Sequence, residues 1–383
     1  MRSHTQLTAT YPPILYDKLL IVIVSCIIGF GLLIMTSASI AISDQMYHQP
    51  FYFLFKQLFF LIAGICIGTM ILRIELVWWE KFGGYLLMGV LVLLSLVLIP
   101  GIGHRINGSA RWLGIGPLTF QVSELAKLVI VIYLSGYLVR RNYEIRMQFS
   151  GFLKPMLVLF TIALLLLREP DFGATAVITA TTLGMMFLAG ISVRYFVGLL
   201  FLALSSLAII AISAPYRLAR LTSFVNPWNK PFDSGYQLIQ SLIAFGRGGW
   251  FGVGLGESIQ KMFYLPEAHS DFLFAVIAEE FGLMGMLLVI GLFTLLVLRI
   301  FLIGRKAQTL GLHFSGYLAY GFGLWFAIQF IVSIGVNSGL FPTKGLTLPL
   351  MSYGGSSLLV NCVMIALVLR IDHENRIHPL KIR

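Results

Sequence analysis

The chain has 383 residues, 58% of them hydrophobic and only 11% charged, and its mean hydropathy is +0.89. That balance excludes a soluble domain, which must cover itself with polar groups, and leaves an integral membrane protein. The formal net charge of +11 suits basic loops that face anionic inner-leaflet lipid, and no nucleic-acid partner is expected.

Crossing a bilayer takes about 20 apolar residues. Segments of that kind recur at 16–40, 52–72, 82–99, 120–139, 152–167, 173–190, 195–214, 271–302, 314–337 and 350–370. The expectation is an all-α polytopic membrane protein of about ten transmembrane helices, folded as one membrane domain over 1–383. The first segment ends in Ser37-Ala38-Ser39, a small-residue run like a signal-peptide cleavage site, yet its apolar stretch is too long for an h-region and reads as a retained helix. Cys26, Cys66 and Cys362 all fall inside apolar spans with no metal-type spacing, so no zinc site or disulfide framework is expected. With both termini cytoplasmic, 16 of the 27 Lys and Arg residues fall on cytoplasmic segments, which satisfies the positive-inside rule. The outside segments 100–119 and 215–270 are nevertheless basic, and outside arginines point to an anionic ligand.

In the first of these, Arg111 beside Trp112 reads either as an interfacial arginine or as an anion contact. Glu124 and Lys127 stand at i, i+3 in the next span, adjacent on one helix face, where pairing lowers the cost of each in the membrane. Their role is open between helix packing and function. Segment 215–270 is the one long connection, expected as a large outward-facing loop between the seventh and eighth helices. Arg217 and Arg220 lie on one side of a helical turn, as a diphosphate-binding pair requires, although they equally suit a helix end. Residues 232–245 carry apolar positions at helical spacing, suited to a short helix at the outer surface. The glycine-rich stretch 246–256 lacks a P-loop signature and reads either as a phosphate-approaching loop carrying Arg247 or as a set of tight turns.

The most informative stretch is FYLPEAHSDFLFAVIAEE, residues 263–280, where Glu267, His269 and Asp271 lead into a long apolar helix. A carboxylate at the mouth of a membrane helix is costly unless its charge is used, which makes Asp271 the first candidate for chemistry. Glu279 and Glu280 lie about 12 to 14 Å further along and point elsewhere, so they are not its acid/base partners and read as structural or cavity-lining groups. Lys344 precedes the polar run Ser352-Tyr353-Gly354-Gly355-Ser356-Ser357, and a helix N-terminus rich in Gly and Ser can bind anions or simply pack closely.

The segments NGSARWLGIGPLTFQVSELAK, NPWNKPFDSGYQLIQSLIAFGRG, LPEAHSDFLFAVIAEE and PTKGLTLPLMSYGGSS, in this order between residues 107 and 357, resemble those of the bacterial SEDS family. Their wording is nearer to the family's division members than to its elongation members. The resemblance implies a peptidoglycan glycosyltransferase of the cytoplasmic membrane at the division septum. It would polymerise lipid II into β-1,4 glycan strands beside a class B penicillin-binding protein and other divisome membrane proteins. It also implies an inverting reaction in which Asp271 is the general base and Arg111, Arg217, Arg220, Arg247 and Lys344 hold diphosphates, with Glu124 and Lys127 as the intramembrane pair. A divalent cation, Mg2+ or Mn2+, enters by resemblance only, for the sequence shows no cluster of metal ligands. Val122, Ala110 and Ser270 depart from the family's usual Pro, Arg and Thr, and Ala110 weighs against any mechanism that needs two adjacent arginines there. Two competing readings follow from the same residues: a lipid II flippase with Glu124, Lys127 and Glu279 along its path, and a non-catalytic scaffold for the penicillin-binding protein.

Overall fold

A computed structural model describes residues 16–106, 109–115, 118–195, 226–229, 231–233, 235–342 and 345–381, with a few isolated positions between 197 and 224. Its helices in chain order are α1 (Lys18–Tyr47), α2 (Tyr52–Ile71), α3 (Leu76–Val97), α4 (Val122–Arg140), α5 (Asn142–Met147), α6 (Phe149–Arg168) and α7 (Phe172–Leu188). After the sparsely described stretch come α8 (Tyr236–Gly248), α9 (Leu273–Thr309), α10 (His313–Asn337) and α11 (Gly355–Lys381).

Eight of these helices are long and apolar enough to cross a membrane, and α7 is a shorter apolar helix. Nine of the ten expected spans therefore appear as helices, and the expected span 195–214 falls largely outside the described residues. The chain is a polytopic helical membrane protein, with one addition. Residues expected as loop form a small antiparallel sheet, β1 (His104–Ile106), β2 (Ser109–Ile115) and β3 (Leu118–Gln121), in the order β1-β2-β3. In register, Arg105 faces Ala110 and Trp112 faces Gln121.

The bundle centres on α4, whose apolar window is 83% buried against 28% for α2 and α3. It packs on α3, α7 and α10, while α10 packs on α9 and α11 packs on α2. This central position is what lets α4 carry Glu124 and Lys127, since both are enclosed by protein rather than lipid.

Helix α9 does not run straight through the membrane. At Gly282 the backbone takes φ 62° and ψ −156° and divides it into residues 273–281 and 283–309. The break frees the carbonyls of Glu279 and Glu280, together with the amides of Leu283 and Met284 that would have bonded them. The glycine-rich turn after α8 takes all four: Val253 and Gly254 donate to the Glu279 and Glu280 carbonyls at 3.0 and 3.1 Å, and Leu283 and Met284 donate to Gly249 and Trp250 at 2.9 and 3.1 Å. Buried backbone groups are satisfied by exchange. The contact is so close that a Cβ on Gly252 would lie 2.2 Å from the Glu280 carbonyl oxygen, and one on Gly282 would lie 2.4 Å from the Gly252 nitrogen.

The described part of 215–270 is therefore not a loop held clear of the bundle. Glu280 accepts from Ser37 at 2.8 Å, and Ser37 is ten residues, about 15 Å along the helix, from the end of α1 at Tyr47. The turn thus re-enters the bundle to that depth, and it exposes Trp250, Phe251, Leu255 and Phe263. Irregular backbone at membrane depth is tolerable where its polar groups are satisfied by protein, as they are here.

Candidate active site

Asp271 sits in the turn that precedes α9. The Glu267 carbonyl accepts from the amides of Ser270, Asp271 and Phe272 at 3.2, 3.1 and 3.2 Å. This winding puts Glu267 itself at φ 57°, a left-handed conformation unusual for a residue with a Cβ. The turn is pinned from the side by His269, whose ring packs against both Phe53 and Tyr353 with centroids 4.8 and 5.5 Å away, those two rings lying 4.9 Å from each other. The His269 carbonyl also accepts from the Tyr353 amide at 3.0 Å. Burial holds the His269 imidazole below its ordinary pKa, with Glu267 pulling the other way, so the ring is neutral at pH 7.

The Asp271 carboxylate opens into a cavity of about 610 Å3 at this end of the bundle. Its walls come from Lys56 of α2, Arg111 and Trp112 of β2, Gln121 of β3, Gly345 to Thr347, and the start of α11 at Gly355, Ser356 and Ser357. Among the described residues, no side chain donates a hydrogen bond to the Asp271 carboxylate. Protein surrounds it on its other sides, and this burial, reinforced by Glu267 and Asp171 and opposed by Arg111, pushes its pKa up to about 7. One wall is pressed against it: a Cβ at Gly345 would stand 2.8 Å from Asp271 Oδ2.

Arg111 is braced rather than free, with Nε and Nη2 donating to the carbonyls of Glu169 and Pro170 at 3.2 and 2.6 Å. Behind it lies Glu169, fully buried with both carboxylate oxygens unpartnered among the described residues, its pKa pushed up to about 8 by burial and by Asp171. Asp171 caps α7 through Ala174 N at 3.1 Å and accepts from Ser123 and Gln121 at 2.9 and 3.2 Å. The floor is formed by the pair on α4: Lys127 Nζ donates to Glu124 at 2.8 Å and to Gln329 Oε1 at 3.1 Å, above the Trp325 ring. Gln329 in turn donates to the Thr347 carbonyl at 3.0 Å, which joins the pair to the wall that abuts Asp271.

The structure thus gathers Asp271, Arg111 and Glu124 around one cavity, with Lys127 bonded beneath it. Arg247 it places elsewhere. Its guanidinium pairs with Glu279 at 2.8 Å and it does not line the cavity, because Glu279, wholly buried by the Gly282 break, needs a countercharge. The rest of the Glu279 carboxylate is filled by the Ser258 hydroxyl and by the amides of Ile259 and Gln260 at 3.1 and 3.2 Å. Glu280 pairs with the buried Lys261 at 2.6 Å. Arg217, Arg220 and Lys344 lie outside the described residues.

A family described as cell cycle protein, that of FtsW, RodA and SpoVE, matches residues 17–377. The chain belongs to that family. The SEDS resemblance of its motifs is borne out along almost its whole length. The probable peptidoglycan glycosyltransferase FtsW of Legionella pneumophila is 54% identical over 372 residues, 97% of this chain and 94% of that protein. That of Nitrosococcus halophilus, bearing the same name, is 56% identical over 350 residues, 91% of this chain and 90% of that protein. Among solved structures, a chain from "Structural coordination of polymerization and crosslinking by a peptidoglycan synthase complex" aligns with TM-score 0.77 and 28% identity over 94% of this chain and 98% of that one. The Thermus thermophilus rod shape determining protein RodA aligns with TM-score 0.70 and 27% identity over 94% of this chain and 97% of that one.

Lys56 and Asp171 line this cavity, Gln329 and Asn337 bond to Lys127 and to the Asp271 carbonyl, and none of the four was singled out by sequence reasoning. Each is a polar residue within or beside an apolar span, which is the signal that could have found them.

Proposed function

We propose that the chain is a peptidoglycan glycosyltransferase that polymerises lipid II, with Asp271 as its general base. One observation carries this reading: a carboxylate left without a described donor, its pKa raised to about 7, faces a polar cavity large enough for sugar units at one end of a membrane bundle. The names of the relatives that share nearly all of its sequence support the same activity.

In this mechanism Asp271 takes the proton from the 4-hydroxyl of the acceptor GlcNAc. That oxygen attacks the anomeric carbon of the donor MurNAc, the bond to undecaprenyl diphosphate breaks, and the α-linked donor becomes a β-1,4 linkage. Inversion in one displacement needs a single base and no covalent intermediate, as in inverting glycosidases. Arg111, Lys56 and the start of α11 stand where cations and helix amides would hold the diphosphate. Lys344, Arg217 and Arg220 complete that set in the proposal, whereas Arg247 serves Glu279. The described residues do not make a fitting divalent-cation site: no three His, Cys, Asp or Glu converge among them, and Asp171 is engaged by Ser123, Gln121 and the α7 amide.

The distribution of Lys and Arg supports cytoplasmic termini, with the cavity opening outward. The likeness to a chain of a peptidoglycan synthase complex supports a class B penicillin-binding protein as partner, and the division wording of the motifs supports action at the septum. The test is polymerisation of labelled lipid II by purified protein with a transglycosylase-dead partner. Glycan strands lost in Asp271→Asn support the assignment, and equal activity in the variant removes Asp271 from the mechanism. A flippase would instead be most sensitive at Glu124 and Lys127.

A further inference from the structure

We propose that Asn337 is a positioning residue for Asp271, setting the place of the base from a neighbouring helix; this rests on the reading of Asp271 as the base. Helix α9 begins without a cap of its own, since Phe272 at the N-cap position has no side chain to accept from the first amides. Asn337, the last residue of α10 and fully buried, supplies what is missing. Its Oδ1 accepts from the Ala275 amide at 3.1 Å, the place an N-cap oxygen would fill, and shares that amide with the Phe272 carbonyl at 3.0 Å. Its Nδ2 donates to the Asp271 carbonyl at 2.9 Å and to the Ser333 carbonyl at 2.8 Å. Both hydrogens and the oxygen of one amide are therefore in use, and two of these three bonds fall on the segment that carries the base.

The geometry is specific to an amide. A carboxylate keeps the acceptor for Ala275 and loses the donor for Asp271, and an alanine loses both. The consequence is catalytic because Asp271 has no described side-chain bond to fix it. Its place comes from its own backbone, from the Gly345 wall and from the Asn337 clamp. Displacing a reacting group by about 1 Å can cost on the order of 100-fold in rate.

The experiment measures lipid II polymerisation by the purified full chain with its partner for Asn337→Ala, Asn337→Asp, Ser241→Ala and Asp271→Asn, with kcat and KM resolved per folded molecule. Ser241 is the control for the same helix end, because its hydroxyl donates to the Asn337 backbone carbonyl at 2.6 Å without touching Asp271. The expected result is a fall in kcat of about 10- to 100-fold in Asn337→Ala and Asn337→Asp, with KM within about twofold of wild type and kcat retained in Ser241→Ala. If Asn337→Ala does not fold, Asn337→Asp decides, since it retains the cap on Ala275. Wild-type kcat per folded molecule in the Asn337 variants, or an equal fall in Ser241→Ala, overturns the proposal. An active Asp271→Asn variant instead overturns the reading of the base.

Discussion

Eight residues of one chain segment separate Asp271 from Glu279, and the protein surrounds the two carboxylates in opposite ways. Glu279 lies wholly inside, at the break in α9, and receives Arg247, the Ser258 hydroxyl and two backbone amides. Its neighbour Glu280 receives Lys261 and Ser37. Asp271 opens into a cavity, has no described donor to its carboxylate and has its pKa pushed up to about 7. A buried acid whose lone pairs are all engaged by protein donors has none left to offer a substrate. An acid left unpaired near neutrality can accept a proton from a substrate. Asp271, Glu279 and Glu280, three of the four acidic residues of 263–280, thus divide into two that maintain the broken helix and one available for chemistry.

That contrast is broken most severely at the paired station. Glu280→Ala strands the Lys261 ammonium in the protein interior, and stability should fall by about 3 to 5 kcal/mol, read as a lower melting temperature in detergent. Glu280→Leu combined with Lys261→Met should recover most of that loss, because the charges are removed together. Gly282→Ala comes next. A side chain at φ 62° against Gly252 should cost about 1 to 3 kcal/mol and leave KM for lipid II unchanged.

At the unpaired station the effects should fall on rate. Gly345→Ala places a methyl 2.8 Å from Asp271 Oδ2, and the carboxylate must turn away. The expected outcome is a loss in kcat of about tenfold with little change in melting temperature. The last effect is thermodynamic. A folded-state pKa near 7, above the ordinary carboxylate value of 3.8, means that the folded protein binds the Asp271 proton more tightly than the unfolded chain. This stabilisation is present below about pH 4 and is lost as pH rises through 7. Asp271→Asn should therefore melt about 5 °C above wild type at pH 8, with a gap that shrinks as the pH is lowered.

The spans were legible because a run of some 20 apolar residues has few other uses, and Asp271 was legible because a charge at a helix mouth stands out against such a run. The break in α9 was not. Gly282 is a lone glycine in a strongly apolar segment, and the turn that satisfies the freed backbone groups lies some thirty residues upstream. For the same reason Arg247 read as a phosphate ligand beside a glycine-rich loop, since its partner Glu279, 32 residues on, is brought to it only by the fold. The sheet at 104–121 escaped notice because β1 and β3 are three and four residues long, too short for alternation to register. Lys56, Gln329 and Asn337 were visible as polar residues in apolar spans, but their gathering around the cavity, the Lys127 pair and the Asp271 turn is a property of packing.

The measurement that bears most directly on Asp271 is the pH dependence of the lipid II polymerisation rate under saturating substrate, for wild type and Asp271→Asn. A base with a pKa near 7 predicts a wild-type rate that rises through pH 7 and levels off above it, with the variant slower by about 100-fold or more at every pH. A wild-type rate flat from pH 5.5 to 8.5, or a variant that keeps the wild-type profile, would contradict the assignment of Asp271 as the base.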